Sequence, residues 1–292
     1  MKVSECIDLF LSYIQDKSPN TLRSYKTDLN QFLEIVGDKE VENITKADIA
    51  KFRMILQAKK KKSSTIARKL ACISSFFEYL IDLELVRSSP ITKSHRPKIS
   101  QKIPSSLSHE EIKKILSSLK NLQEKVIILL PLATGLRSSE ILGIKRTDIR
   151  VQREGKLYEL STIIQSGYKE TDILFIKVIG KGNKEREVPL VGEPAKILIE
   201  YLKTHNFEKI LPISYNMFWY KIVEIGKRTG IVLHPHKLRH TAATIALQSG
   251  AELRVIQELL GHSSPLTTAR YAKVGQKQLI DATKNIVEKM LK

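Results

Sequence analysis

The chain has 292 residues, 42% of them hydrophobic, with 49 Lys+Arg against 31 Asp+Glu for a formal net charge of +18 at pH 7. That hydrophobic fraction can bury real cores, which excludes a disordered basic tail, and the longest apolar stretch, Val126 to Leu136, falls far short of the roughly 20 residues a bilayer span needs. Two cysteines, Cys6 and Cys72, are too few for a disulfide framework, and at about 150 residues per domain the length suggests two domains.

Residues 1–88 read as a domain of four or five short helices. The first carries Ile7, Leu9, Phe10, Leu11 and Ile14. Glu5 and Asp8 interrupt its apolar run, which argues against a secretory signal, and the two cysteines read as buried small hydrophobes in a reducing cytoplasm. Ser18-Pro19-Asn20 supplies a cap and first turn for a helix with Tyr25, Leu29, Phe32 and Leu33 on one face. Thr45, with Asp48 three residues on, opens a third helix running to Leu56. Between Thr65 and Leu83, Ile66, Leu70, Ile73, Phe76, Phe77 and Leu80 form an apolar seam, with Arg68 and Lys69 off the stripe as a basic edge. From Ile49 to Phe77 there is no acidic residue, while Lys59, Lys60, Lys61, Lys62, Arg68 and Lys69 crowd the same window. Such a one-signed stretch suits a nucleic-acid backbone, whose displaced counterions drive sequence-independent affinity.

Residues 89–107 form a basic linker rich in Pro and Ser, and 108–292 form a second, larger domain. Ser108-His-Glu-Glu opens it with a capping-box pattern. Helices are predicted near 122–133 and 138–146, β-type segments near 157–164, 173–179 and 186–190, then helices near 193–204, 215–229, 237–249, 252–260 and 276–291. The fold class is therefore mainly α with a small β-sheet. Both halves are basic: residues 1–98 hold 18 basic and 12 acidic side chains, the remainder 31 and 19. Two domains closing on one duplex would show that distribution.

Four stretches of the second domain carry chemistry: ATGLRSSEIL around Arg137 and Glu140, GKGNKER around Lys181, HKLRH around His236 and Arg239, and LLGH at His262 followed by ARY at Tyr271. Two arginines present planar forks that bind phosphate oxygens bidentately and would stabilise the charge of a pentacoordinate transition state. A tyrosine can attack phosphorus, a lysine on a hairpin can protonate a departing oxygen, and a histidine can take the tyrosine proton. The arginines supply the positive charge, so no metal or other cofactor is expected. A zinc site at His234, His236 and His240 is disfavoured, because His234 precedes Pro235 outside the helix and no Cys is near.

Taken in order, these four stretches resemble the active-site signature of the tyrosine recombinase (phage integrase) family, with the greatest likeness to its Xer-like members. The likeness covers nearly the whole chain, and SPNTLRSYKTDLNQF is similar to the start of the family's N-terminal domain. The resemblance implies a SAM-like helical core-binding domain followed by an α+β catalytic domain. It implies a phosphate clamp of Arg137 and Arg239, Lys181 as general acid, His236 assisting the nucleophile's proton, His262 on the phosphate and Tyr271 as nucleophile. Glu140 would orient Arg137, His240 would support the site, and Lys184 and Arg186 would contact DNA or brace the hairpin. The substrate implied is a specific double-stranded DNA site in the nucleoid, bound by a tetramer assembled through the C-terminal helix 276–291. Xer-like resolution of chromosome or plasmid dimers is the expected role, with a mobile-element integrase as alternative within the family. A type IB topoisomerase and a catalytically unused architectural protein are the rivals outside it.

Two departures from the pattern stand out. Between Arg137 and Lys181 lie 43 residues, more than in compact Xer-like members, and the polar excess over Val151 to Asp172 is expected to form a longer hairpin or loop. Ser263-Ser264-Pro265 replaces a commoner acidic version after His262.

Overall fold

In the computed structural model, residues 1–95, 97, 106–180, 184–261 and 276–291 are described, with side chains of the last segment from 280. The chain divides into two compact units, Met1–Lys102 and Ile103–Lys292. Residues 96 and 98–105 of the expected linker, and Lys181, His262 and Tyr271, lie outside the described residues.

Among its described residues the first unit holds four α-helices: α1 (Val3–Tyr13), α2 (Pro19–Val36), α3 (Lys46–Ala58) and α4 (Ser63–Asp82). Local chemistry starts them where expected. Ser18 Oγ accepts the Thr21 amide at 3.2 Å with Pro19 in the first turn of α2, and Asp48 accepts the Thr45 amide at 2.8 Å at the head of α3. Phe10, Phe32, Phe52, Phe76 and Phe77 fill the core between them, with Phe32 and Phe52 edge to face at 5.4 Å.

Beneath this core sits a buried ionic cluster. Asp28, on α2, is 1% exposed; Lys69 Nζ donates to its Oδ1 at 2.6 Å, and the Arg68 guanidinium bonds both carboxylate oxygens. This corrects the expectation for Lys69. It is buried, and its ammonium faces Asp28 rather than solvent. Arg68 keeps an exposed side chain while making the pair, and Lys59 to Lys62 stand exposed in the α3–α4 connection.

The second unit runs α5 (His109–Ser117), α6 (Leu122–Thr134), α7 (Ser138–Gly143), β1 (Ile149–Arg153), β2 (Lys156–Glu159), α8 (Leu160–Ser166), β3 (Ile173–Ile179), β4 (Glu185–Leu190), α9 (Gly192–Thr204), α10 (Tyr215–Thr229), α11 (Pro235–Gln248), α12 (Leu253–Leu260) and α13 (Gln276–Leu291). Its sheet is antiparallel throughout, in the order β2-β1-β3-β4. The apolar helix α6 is buried along its length, packing on α9 and α11. No described helix is long and apolar enough to cross a membrane.

Two expectations bear on this unit. Of the longer hairpin or loop expected between Arg137 and Lys181 the structure has the hairpin, β1 paired with β2, and adds α8, a helix where the β-type segment near 157–164 was expected to continue. Arg153 pins the far end, donating from Nε and Nη2 to the two oxygens of Asp172 at 2.7 and 2.6 Å, and from Nη2 to the Gly167 carbonyl at 2.6 Å. The sequence pattern missed β1, because its alternation is only five residues long. Helix α13 packs on α6, α9, α11, α12 and β4 of its own chain, burying Ala282, Thr283, Ile286, Val287 and Met290. The apolar face expected to meet a neighbour is thus covered within the protomer, where Val287 Cγ1 lies 3.2 Å from the Cβ position of Gly192.

Candidate active site

The site is built where the α6–α7 turn, the start of α11 and the end of α12 meet. Helix α6 ends at Gly135, whose φ of +66° is left-handed, and Arg137 takes the N-cap position of α7. Glu140, in the first turn of α7, reaches back so that its Oε2 accepts the Arg137 amide at 2.8 Å. Helix α11 begins at Pro235 with His234 Nδ1 accepting the Lys237 amide at 3.1 Å. Arg239 then falls on the buried side of α11 and His236 on the exposed side. Helix α12 ends at Gly261, left-handed at φ +62°.

Three guanidiniums converge on one carboxylate and one helix end. Arg137 donates from Nη1 to Glu140 Oε1 at 2.9 Å and from Nη2 to the Gly261 carbonyl at 3.0 Å. Arg239 donates from Nη1 to the Gly135 carbonyl at 2.6 Å and from Nη2 to the Leu260 carbonyl at 2.8 Å. Arg186, on β4, binds Glu140 bidentately at 2.9 and 3.0 Å, and its Nε donates to the Leu259 carbonyl at 3.3 Å. The last carbonyls of α12 lack intrahelical partners and carry the negative end of its dipole, so they suit cations.

The electrostatics of this cluster are those of an anion site. One carboxylate faces three guanidiniums, leaving net positive charge. Burial opposes the charge on Glu140, but hydrogen bonds from Arg186 and from the Arg137 amide outweigh it and hold the carboxyl below its ordinary value. Burial first, and then the nearby Arg137, lower Arg239 to about 10, so it stays protonated at neutral pH. Burial, with His236 and Lys237 nearby, lowers His234, the capping histidine.

The structure brings Arg137, Glu140 and Arg239 together, as the family resemblance implies. Arg186, expected to contact DNA or brace the hairpin, has a side chain only 14% exposed that points at Glu140. The signal was in the strand period. Arg186, Val188 and Leu190 alternate on one face and pair with the buried Val178, Ile176 and Leu174, so Arg186 belongs on the inner side. Lys184 is exposed on the surface. His240 is half-buried on α11. The carbonyls of Leu259, Leu260 and Gly261 were also missed as arginine acceptors, because backbone groups carry no sequence signature. Among the described residues no group of three or more His, Cys, Asp or Glu could hold a metal ion.

Residues 105–278 match the phage integrase family and residues 7–84 match the phage integrase N-terminal SAM-like domain. A tyrosine recombinase of Thermosipho africanus is 32% identical over 98% of this chain and 99% of its own length. Tyrosine recombinase XerD of Oceanobacillus iheyensis is 31% identical over 93% of each chain. Among solved structures, a lambda integrase dimer bound to a core site superposes with a TM-score of 0.70 at 17% identity, over 94% of this chain and 100% of that one. The XerH recombinase bound to its difH substrate gives 0.63 at 18% identity over 98% and 82%; at these identities both show the shared fold. With two domain matches in series and relatives alike from end to end, the chain belongs to the phage integrase family and is a tyrosine-type site-specific DNA recombinase.

Proposed function

We propose that Arg137 and Arg239 clamp the scissile phosphate of duplex DNA while Tyr271 attacks it. The convergence of three arginines on the single carboxylate of Glu140 supports this reading, since it leaves a preorganised cationic site with room for an anion's charge. In the step proposed, the Tyr271 oxygen bonds to phosphorus and gives its proton to His236. The bond from phosphorus to the 5′ oxygen breaks, and that oxygen takes a proton from Lys181. The products are a 3′-phosphotyrosine, with His262 on the phosphate, and a free 5′-hydroxyl. Attack by a partner strand's hydroxyl reverses the step and exchanges strands through a Holliday junction, so the phosphotyrosine conserves the bond energy.

The role proposed is Xer-like resolution of chromosome or plasmid dimers in the cytoplasm at the nucleoid, carried by a tetramer on DNA. Full-length likeness to relatives named XerC and XerD supports it over element mobility. In the assembled tetramer α13 is proposed to seat its apolar face on the neighbouring protomer instead of its own. Exposed Lys59 to Lys62, Arg68 and Lys184 are proposed as backbone contacts.

The test incubates a pool of nicked duplexes of randomised sequence with the protein in EDTA and isolates covalent adducts. The wild type should capture a subset of sequences and Tyr271→Phe none. An adduct that persists in Tyr271→Phe, or none with the wild type, overturns the assignment. A plasmid with two direct copies of a captured sequence should be resolved into two circles; relaxation of supercoils without exchange would favour a topoisomerase.

A further inference from the structure

We infer that Arg186 is the counter-ion of Glu140, a positioning residue that lets Glu140 hold Arg137 in place without neutralising the charge the clamp offers a phosphate. The inference rests on the clamp reading of Arg137 and Arg239. A carboxylate has about four acceptor sites, and those of Glu140 are filled by two arginines. Oε1 accepts from Arg137 Nη1 and Arg186 Nη1, and Oε2 accepts from the Arg137 amide and Arg186 Nη2. Arg239 stands 4.0 Å from Oε2 and bonds carbonyls instead.

The charge balance then separates two jobs. Orienting Arg137 needs a fixed acceptor beside it, which Glu140 provides from the same turn. A bare carboxylate there would also cancel one of the two positive charges facing the phosphate. Arg186 restores it. Its own charge cannot reach DNA as a surface lysine's would, because the side chain is nearly enclosed and its Nε is held by the end of α12. Gly261 permits this close approach, since a Cβ there would lie 2.8 Å from the Arg186 guanidinium carbon. The fork geometry matters too. A lysine could supply charge but could not bind both oxygens while donating to Leu259.

The experiment measures adduct formation on a nicked duplex recovered from the randomised pool, with Arg186→Met, Arg186→Lys, Glu140→Gln and the double variant Glu140→Gln/Arg186→Met. Arg186→Met should cleave about 100-fold more slowly, with unchanged duplex affinity and an unchanged dependence of affinity on salt. The double variant should recover to the rate of Glu140→Gln, since no carboxylate charge is left to cancel, and Arg186→Lys should fall between wild type and Arg186→Met. A double variant slower than Glu140→Gln overturns the proposal, as does a salt slope lowered by about one, the mark of a phosphate contact. The comparison of the double variant with Glu140→Gln holds even if Arg186→Met does not fold, which thermal melting reports. Arg137→Ala separates the two readings. If it cleaves like wild type the clamp reading fails, whereas full activity of Arg186→Met beside an inactive Arg137→Ala overturns this proposal alone.

Discussion

Arg239 and Gly135 stand 104 residues apart in the chain and are joined by a hydrogen bond of 2.6 Å from guanidinium Nη1 to the glycine carbonyl. That bond ties the second turn of α11 to the end of α6, one residue short of the Leu136-Arg137 entry to α7. The left-handed turn at Gly135 is what aims its carbonyl at Arg239. A Cβ there would lie 2.3 Å from Leu260 Cδ2, so Gly135→Ala combines backbone strain with overpacking. It should cost about 2 kcal/mol in thermal or urea unfolding. Adduct formation should fall more than duplex affinity does, because the clamp moves while surface cations stay; equal losses in both would contradict that.

The Arg153–Asp172 pair makes a pH-dependent contribution to stability. Burial opposes ionisation of Asp172, yet the Arg153 fork and the Lys169 amide outweigh it and hold the carboxyl below its ordinary 3.8. A depressed carboxyl contributes its full stabilisation above the unfolded value, and that is lost as pH falls through the lower folded value. Asp172→Asn should therefore cost about 3 kcal/mol at pH 7, with the gap to wild type narrowing below about pH 4. Chemical denaturation at a series of pH values reads both.

In the N-terminal unit, burial divides lysines that sequence grouped together. Replacing Lys59 to Lys62 by Gln should lower the slope of log affinity against log salt by about 0.9 for each phosphate contact removed. Lys69→Met should leave the slope unchanged, because the ammonium is already held by Asp28. Binding isotherms at several salt concentrations distinguish the two, and a lowered slope for Lys69→Met would place it on the DNA.

Helix α13 completes the core of its own domain. Ile286 and Met290 are each fully buried, so either one changed to Ala should destabilise the isolated protein by about 2–5 kcal/mol. Unfolding midpoints at increasing protein concentration check whether the seat lies within the protomer. A midpoint that climbs with concentration would mean that the helix is held by a second copy.

What sequence alone determined here acts over a few residues. Caps such as Ser18 and Ser108, the apolar period of α4 and the continuous apolar run of α6 are local, so their elements were legible at once. The order of the four chemical stretches was equally plain and carried the family with it. Tertiary structure decided which charges meet. Lys69 and Arg68 are adjacent at the edge of one helical stripe, and only the packing of α2 brings Asp28, 41 residues from Lys69, to take one inward and leave the other exposed. Arg186 looked like one more cation in a basic hairpin until β3 fixed its register and turned it toward Glu140. The segment from Val151 to Asp172 could be read as a longer hairpin or a loop, and the closure of Arg153 on Asp172 had no signature in it. An ion pair's partner is chosen by distance in space, and where that distance spans tens of residues no local pattern records it.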